Sequence, residues 1–268
     1  MGDVLYSVRG PKTLFEMTWE EVAEALQETD TIIVPVGSVE QHGPHLPLGS
    51  DSFQGMELAR RCMTKLASRG IKVVAGPTIP FGVSSTLMEF PGTVTLSVST
   101  LIAVIKDVCI SLRQHGFKKI ALVLAHGGNW YAMQAAAQEL TDETDIKVIA
   151  LNWLPVLTSR YREVLKSTKP EAHSGEGETA RMLVSAPELV EFKRMRITYP
   201  EDTKVRIAGD GAPTYGGGVY APVRSFKAVT DSGVKGNPTL ATRETGEKIY
   251  DIMVDWLCAI IERDLVAG

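Results

Sequence analysis

The feature that most constrains this chain is a set of short, unbroken apolar runs lying between stretches of helical spacing. Residues 31–37 (TIIVPVG) and 119–125 (KIALVLA) are rich in aliphatic and β-branched side chains and end abruptly. Runs of that length read as strands buried on both faces, because a half-exposed strand would alternate apolar with polar residues. Residues 71–76 and 146–151 repeat the pattern more weakly. Between and after them, 53–68, 96–115, 129–140, 176–184 and 240–265 carry apolar residues at helical intervals. Strand alternating with helix predicts an α/β fold, a three-layer α/β/α sandwich around a largely parallel sheet, with 1–268 as a single domain. Ligands of such sheets bind beyond the carboxyl ends of the strands. The segments after Gly37 and Ala125 are therefore the places to search.

Several function classes are disfavoured at once. The formal net charge of -4 gives no basic footprint for nucleic acid. No apolar run reaches the roughly 18–20 residues that a membrane-spanning helix needs. The first residues, MGDVLYSVRGPK, hold no apolar stretch of the kind a secretory signal carries, so a cytoplasmic protein is expected. Cys62, Cys109 and Cys258 are far apart and lack CxxC spacing, which suits buried apolar thiols better than a nucleophile or a zinc site. Residues 200–238 are dominated by Gly, Pro and aromatics, and are expected to lie at a site mouth or a subunit contact.

Histidine placement carries the chemistry. Of five histidines, His42, His45, His126 and His173 fall in three short segments, and only His115 lies elsewhere. The first segment, SVEQHGPHLPLGSDSF, follows the first strand and supplies Glu40, His42, His45 and Asp51. The second is His126 with the GGN that follows it. The third is HSGEGET, from His173 through Glu176 and Glu178 to Thr179. Imidazole with carboxylate is the ligand set of zinc, manganese or iron. Glu40 and His42, two apart, point to one side of an extended segment. Asp51 can return as a carboxylate bridging two ions, although at a helix start Ser50 or Asp51 also suits an N-cap. Gly127 and Gly128 permit a tight turn and close approach to a ligand, but lack the glycine patterns of a phosphate loop.

Taken together, PVGSVEQHGPHLPLGSD, FPGTVTL, HGGN and HSGEGET resemble the creatininase (creatinine amidohydrolase-like) family, in order from about Trp19 to Glu247. The resemblance implies a binuclear metal-dependent hydrolase, two divalent ions per chain (zinc or manganese, with iron an alternative), and a homo-oligomer, often a hexamer. Glu40 and His126 would hold one ion, His42 the other, and Asp51 both. The family's founding enzyme has a further acid two residues after the strand-terminal histidine, where this chain has Gly128. Glu176 is the first candidate to replace it and Glu178 the second. His173, with Glu176, would move protons, and Ser84, His45, Gly127, Asn129 and Trp153 are candidates to contact substrate. Many relatives carry a Glu-His pair before FPGT; here Thr86 and Leu87 stand in its place, so creatinine itself is not the expected substrate. The expectation is hydrolysis of a small cyclic or amide-like substrate. The alternatives are opening of a keto-inositol ring at a carbon–carbon bond, a formamide deformylase, or a non-catalytic metal-stabilised binding protein.

Overall fold

The computed structural model describes residues 10–199 and 224–267. Among these, β1 (Thr31–Val36), β2 (Val74–Ala75), β3 (Lys119–Leu124) and β4 (Lys147–Leu151) form one parallel sheet in the order β2-β1-β3-β4. Every residue of β1 is buried, as the unbroken apolar run required. Alternate residues feed opposite layers. Ile33, Ala75, Ala121 and Val123 pack under α2 (Ser50–Ala67), α5 (Leu154–Val164), α6 (Glu176–Ser185) and α7 (Arg243–Ile261). Ile32, Val34, Val36, Ile120 and Leu122 pack under α1 (Trp19–Ala25), α3 (Val98–His115) and α4 (Trp130–Glu143). The three-layer α/β/α architecture is therefore present, and no helix among the described residues is long and apolar enough to cross a membrane.

Element boundaries moved where side chains outside the apolar pattern decide them. α3 begins at Val98 because Ser97 Oγ accepts the Thr100 N–H at 3.1 Å, and it ends at Gly116, whose φ of 117° suits glycine. β2 keeps only two residues of the expected strand, and after it the Gly76 N–H reaches the Ile33 carbonyl at 2.7 Å. Pro35 sits inside a central strand, which normally loses a ladder bond. Its missing donor falls on the side where β2 has already ended, and its carbonyl still accepts the Ile79 N–H at 2.9 Å.

Two crossovers place the site. From β1 the chain runs through α2 to β2 on one side; from β3 it runs through α4 to β4 on the other. The two helices lie on opposite faces. The strand order therefore reverses between β1 and β3, and a crevice opens beyond their carboxyl ends.

Candidate metal centre

Beyond β1 the chain stays extended long enough to point Glu40 and His42 the same way, then turns back into α2. Gly49 takes the N-cap position without a side-chain bond, so Asp51 is not the cap expected from its place at a helix start. It lies in the first turn, where the partial positive charge of the helix end favours an anion. Ser38 Oγ donates to Asp51 Oδ2 at 2.7 Å. His42 Nε2 is 3.2 Å from Asp51 Oδ1, and His126 Nδ1 is 3.2 Å from both Asp51 Oδ2 and Glu40 Oε2. Glu40, His42 and Asp51 are at most 4 % exposed.

Each histidine is held from behind. His126 Nε2 donates to the Val83 carbonyl at 2.9 Å, and His42 Nδ1 lies 3.1 Å from the Glu40 carbonyl. Those backbone acceptors fix the tautomer of each neutral ring, so Nδ1 of His126 and Nε2 of His42 are the nitrogens turned to Asp51 and would bind an ion once deprotonated. Metal-ligating histidines are oriented in this way.

In the metal-free site the carboxylates and imidazoles favour one another's charged forms. Burial alone would push the Asp51 and Glu40 carboxyls up, but His42 and His126 beside Asp51, and His126 beside Glu40, hold both below their ordinary range. Burial likewise opposes charge on His42, yet Asp51 raises it to about 10; Glu40 and Asp51 raise His126 against the same penalty. His45, lowered to about 4 by burial and then by the His42 charge, stays neutral. Glu40 Oε2 and His42 Nε2 are buried without a hydrogen-bond partner, although oppositely charged atoms stand 3.2 Å away. Such atoms aim at a shared point rather than at each other. Two sets, Glu40–Asp51–His126 and His42–Asp51–Glu178, each bring ligand atoms within 4.8 Å of one another and share Asp51. A third, Glu40–His42–His173, uses a ring whose Nε2 already contacts the Gln41 carbonyl at 2.8 Å. The donor set fits one or more divalent ions.

The start of α6 corrects the sequence reading. Glu176 is fully buried, but its two carboxylate oxygens accept the Lys166 and Ser167 N–H groups at 2.9 and 2.7 Å. That carboxylate organises the loop after α5, so neither its ligand role nor its proton-transfer role has geometric support. Glu178 is the one that turns to the site. It accepts the Ser174 N–H at 2.5 Å and stands 4.0 Å from His173 Nδ1. The acid missing at Gly128 has a steric cause as well: a Cβ there would lie 2.3 Å from the Val83 carbonyl and 2.5 Å from His126 Nε2.

Of the expected substrate contacts, Ser84 lies near the ligands, its Oγ 3.5 Å from His126 Nε2, and His45 Nε2 pairs with Thr179 Oγ1 at 2.9 Å. Two are corrected. Asn129 spends its amide on the Val36, Gly37 and Val83 backbone, tying the ends of β1 to the loop before Ser84. Trp153 is buried, with its indole N–H on the Leu124 carbonyl at 2.5 Å. At Gly127 an added Cβ would meet only Leu154 Cδ1 at 3.8 Å, so the need for a bare backbone falls on Gly128.

Sequence reasoning missed Ser38, Gln41, Arg181 and Phe226. Arg181 follows Glu178 by three on a helix, a spacing that could have flagged a pair. Phe226 had no local signal. It belongs to the Gly- and Pro-rich region, of which 200–223 lie outside the described residues. Its N–H reaches the Thr86 carbonyl at 2.8 Å, and its ring stands edge-on to His173, 5.1 Å between centroids. His173 in turn lies 4.7 Å from the His42 ring.

A parallel sheet carrying carboxylates and imidazoles at its switch point defines a metal-site α/β protein, and comparison with known proteins says which kind. The model of the creatinine amidohydrolase family matches residues 15–261, and the chain belongs to that family, the creatininases, which are hydrolases. It is 29% identical over 235 residues to the mycofactocin precursor peptide peptidase of Mycolicibacterium smegmatis, covering 87% of this chain and 84% of that protein. It is 26% identical over 265 residues to the 3-dehydro-scyllo-inosose hydrolase of Thermotoga maritima, covering 93% of this chain and 82% of the relative. Among solved structures, a zinc–zinc form of a creatininase mutant superposes with a TM-score of 0.73 at 25% identity, covering 96% of this chain and 100% of that one. A manganese creatininase gives 0.72 at 24%, covering 95% and 100%.

Proposed function

We propose that this protein hydrolyses an amide C–N bond in a substrate other than creatinine, at a site for two divalent ions. Glu40, Asp51 and His126 would hold one ion, and His42, Asp51 and Glu178 the other. The observation that carries this reading is the shared Asp51 between two imidazoles, each anchored through its far nitrogen to a backbone carbonyl. When bound, the ions would supply an acidified water and a Lewis acid for the scissile carbonyl. The chain's own residues do the rest. Asp51 and Glu178 fix the spacing of the ligands. His173, with its Nε2 on the Gln41 carbonyl and its Nδ1 toward Glu178, would hand a proton to the leaving nitrogen. Ser84, whose Oγ lies 3.5 Å from His126 Nε2 on the side away from Asp51, would be a substrate contact by its place in the sequence motif.

A substrate other than creatinine is supported by Thr86 and Leu87, which put no charge where many relatives have two. Leu87 is buried, and the Thr86 backbone is tied to Phe226. The peptidase relatives support an amide. The inosose hydrolase relative, taken with the uncharged Thr86 and Leu87 of this chain, supports a second reading: opening of a keto-inositol ring at a carbon–carbon bond. Three buried free thiols suit a reducing cytoplasm, and exposed Phe81, Met88, Val94, Val98 and Tyr131 suit a homo-oligomer. The test is elemental analysis with a substrate panel. Purified protein is expected to hold about two zinc or manganese ions per chain, as other two-metal sites do, and to lose activity on chelation. Peptide amides, creatinine and a keto-inositol are then compared by kcat/KM. Full activity in metal-free protein would overturn the site, and faster turnover of creatinine would overturn the substrate reading.

A further inference from the structure

The geometry points to Arg181 as a positioning residue that fixes Glu178 opposite Asp51 and thereby sets the affinity of the second ion. This inference rests on the two-ion reading above. Arg181 is only 3 % exposed, an uncommon place for a guanidinium without a structural task. Its Nε donates to Gln54 Oε1 at 2.5 Å, and its Nη2 stands 3.6 Å from Glu178 Oε1. Its Cζ lies 5.1 Å from the Trp153 ring centroid, and that indole is fastened to the Leu124 carbonyl at the end of β3.

These contacts connect three parts of the site. Gln54 sits on α2, three residues after Asp51, and Glu178 sits on α6, three residues before Arg181. One rigid, planar cation therefore spans the two helices whose carboxylates would share the second ion. The Trp153 face stops it from sliding. The other Glu178 oxygen is held by the Ser174 N–H. One carboxylate oxygen is thus hydrogen-bonded and the other faces the guanidinium at 3.6 Å, with lone pairs left for an ion. In a chain where Gly128 cannot carry the second-site acid, this grip lets an acid arriving from another segment do the work.

A buried cation near an ion could instead weaken it by repulsion, and the two effects have opposite signs. Removal of an outer partner of a ligand typically costs about 10–100-fold in metal affinity. The test is a zinc titration of metal-free wild type, Arg181→Met, Arg181→Lys, Glu178→Gln and the Glu178→Gln/Arg181→Met double variant, by calorimetry with a competing chelator. Arg181→Met is expected to leave the first equivalent within about twofold and to weaken the second about 10–100-fold. Arg181→Lys is expected to recover part of that loss. The double variant is expected to bind no more weakly than Glu178→Gln. If Arg181→Met does not fold, Gln54→Leu, which cuts the tether and keeps both charges, is expected to show a smaller loss confined to the second equivalent. An unchanged or tighter second equivalent, a parallel loss of both, or an additive loss in the double variant would overturn the inference. Wild-type protein taking up no second equivalent would overturn the two-ion reading itself, whatever the variants do.

Discussion

The segment from Glu40 to Asp51 and the start of α6 both bring paired acidic or imidazole groups to the site, but they obey different periods. In the extended stretch after β1, residues two apart share a side, so Glu40 and His42 both face Asp51, Glu40 beside His126 and His42 beside Glu178. On α6, residues two apart are separated by about 200° around the axis. Glu176 and Glu178 cannot both face the site: one turns to the Lys166 and Ser167 backbone and the other to His173. The same spacing of two is cooperative in one conformation and exclusive in the other. Carboxylates with equal sequence credentials thus divide into ligand and scaffold by backbone geometry alone.

The strongest way to break that contrast is Asp51→Asn. If Asp51 serves both ions, the amide should remove several kcal/mol of transition-state stabilisation, about a thousandfold in kcat. Metal content should fall at both positions. Near-normal turnover with full metal content would remove the shared ligand from the scheme and dissolve the distinction drawn here.

The strand-end half of the site was legible because its logic is local. An apolar run predicts a strand, a strand in an α/β pattern predicts where ligands go, and period two aligns Glu40 with His42. The identities of the buried strands β1 and β3 were readable for the same reason, whereas β2 shrank to Val74 and Ala75. What decides α6 is not local. The preference of Glu176 for two backbone N–H groups depends on how the loop after α5 closes over it, contacts ten and nine residues away in sequence. Asn129 and Trp153 are candidate substrate contacts that follow the strands β3 and β4 in sequence. Only packing reveals that their polar atoms are already committed to the backbone. Phe226 reaches His173 across more than fifty residues of chain, and no pattern in its own segment announces the contact.

Metal removal sharpens the comparison from the strand-end side. Without ions, the raised His42 and His126 hold protons that balance Asp51 and Glu40. A group whose folded pKa is raised stabilises the fold fully below its unfolded value and loses that contribution as pH climbs through the folded one. For His42 the window runs from 6.5 to about 10. The metal-free protein should therefore melt at progressively lower temperature across that window. The loaded protein, with ions in place of the protons, should show a much flatter profile, and metal uptake near pH 7 should release protons. Parallel melting profiles with and without metal would show that the imidazoles are not proton-for-metal exchange sites.

Glu178→Gln tests the helix side directly. A neutral amide can still accept the Ser174 N–H but is a poor ligand. One ion should be lost or weakened while the Glu40–Asp51–His126 set keeps its own, with activity falling about 10–100-fold, in the range seen when one partner of a metal site is removed. Retention of both ions at wild-type affinity would return the second-site acid to the unassigned column.

The smallest effect on chemistry is expected from the other glutamate. Glu176→Gln keeps the shape of the side chain and one carbonyl acceptor, but replaces the second acceptor with an NH2 group facing a backbone N–H. The carboxylate accepts the Lys166 and Ser167 N–H groups together, so the substitution leaves one buried donor opposed by another donor. Loss of one such charge-assisted bond costs about 1.5–3 kcal/mol, which should appear as a lower melting temperature or denaturant midpoint. Metal stoichiometry and kcat should stay within a few-fold of wild type at temperatures well below that midpoint, because nothing in the Glu40–Asp51–His126 or His42–Asp51–Glu178 sets touches this carboxylate. A variant that keeps its stability but loses an ion would restore Glu176 as the ligand. It would also mean that α6 presents its other face to the site, which would take Glu178 and the Arg181 bridge out of the metal centre together.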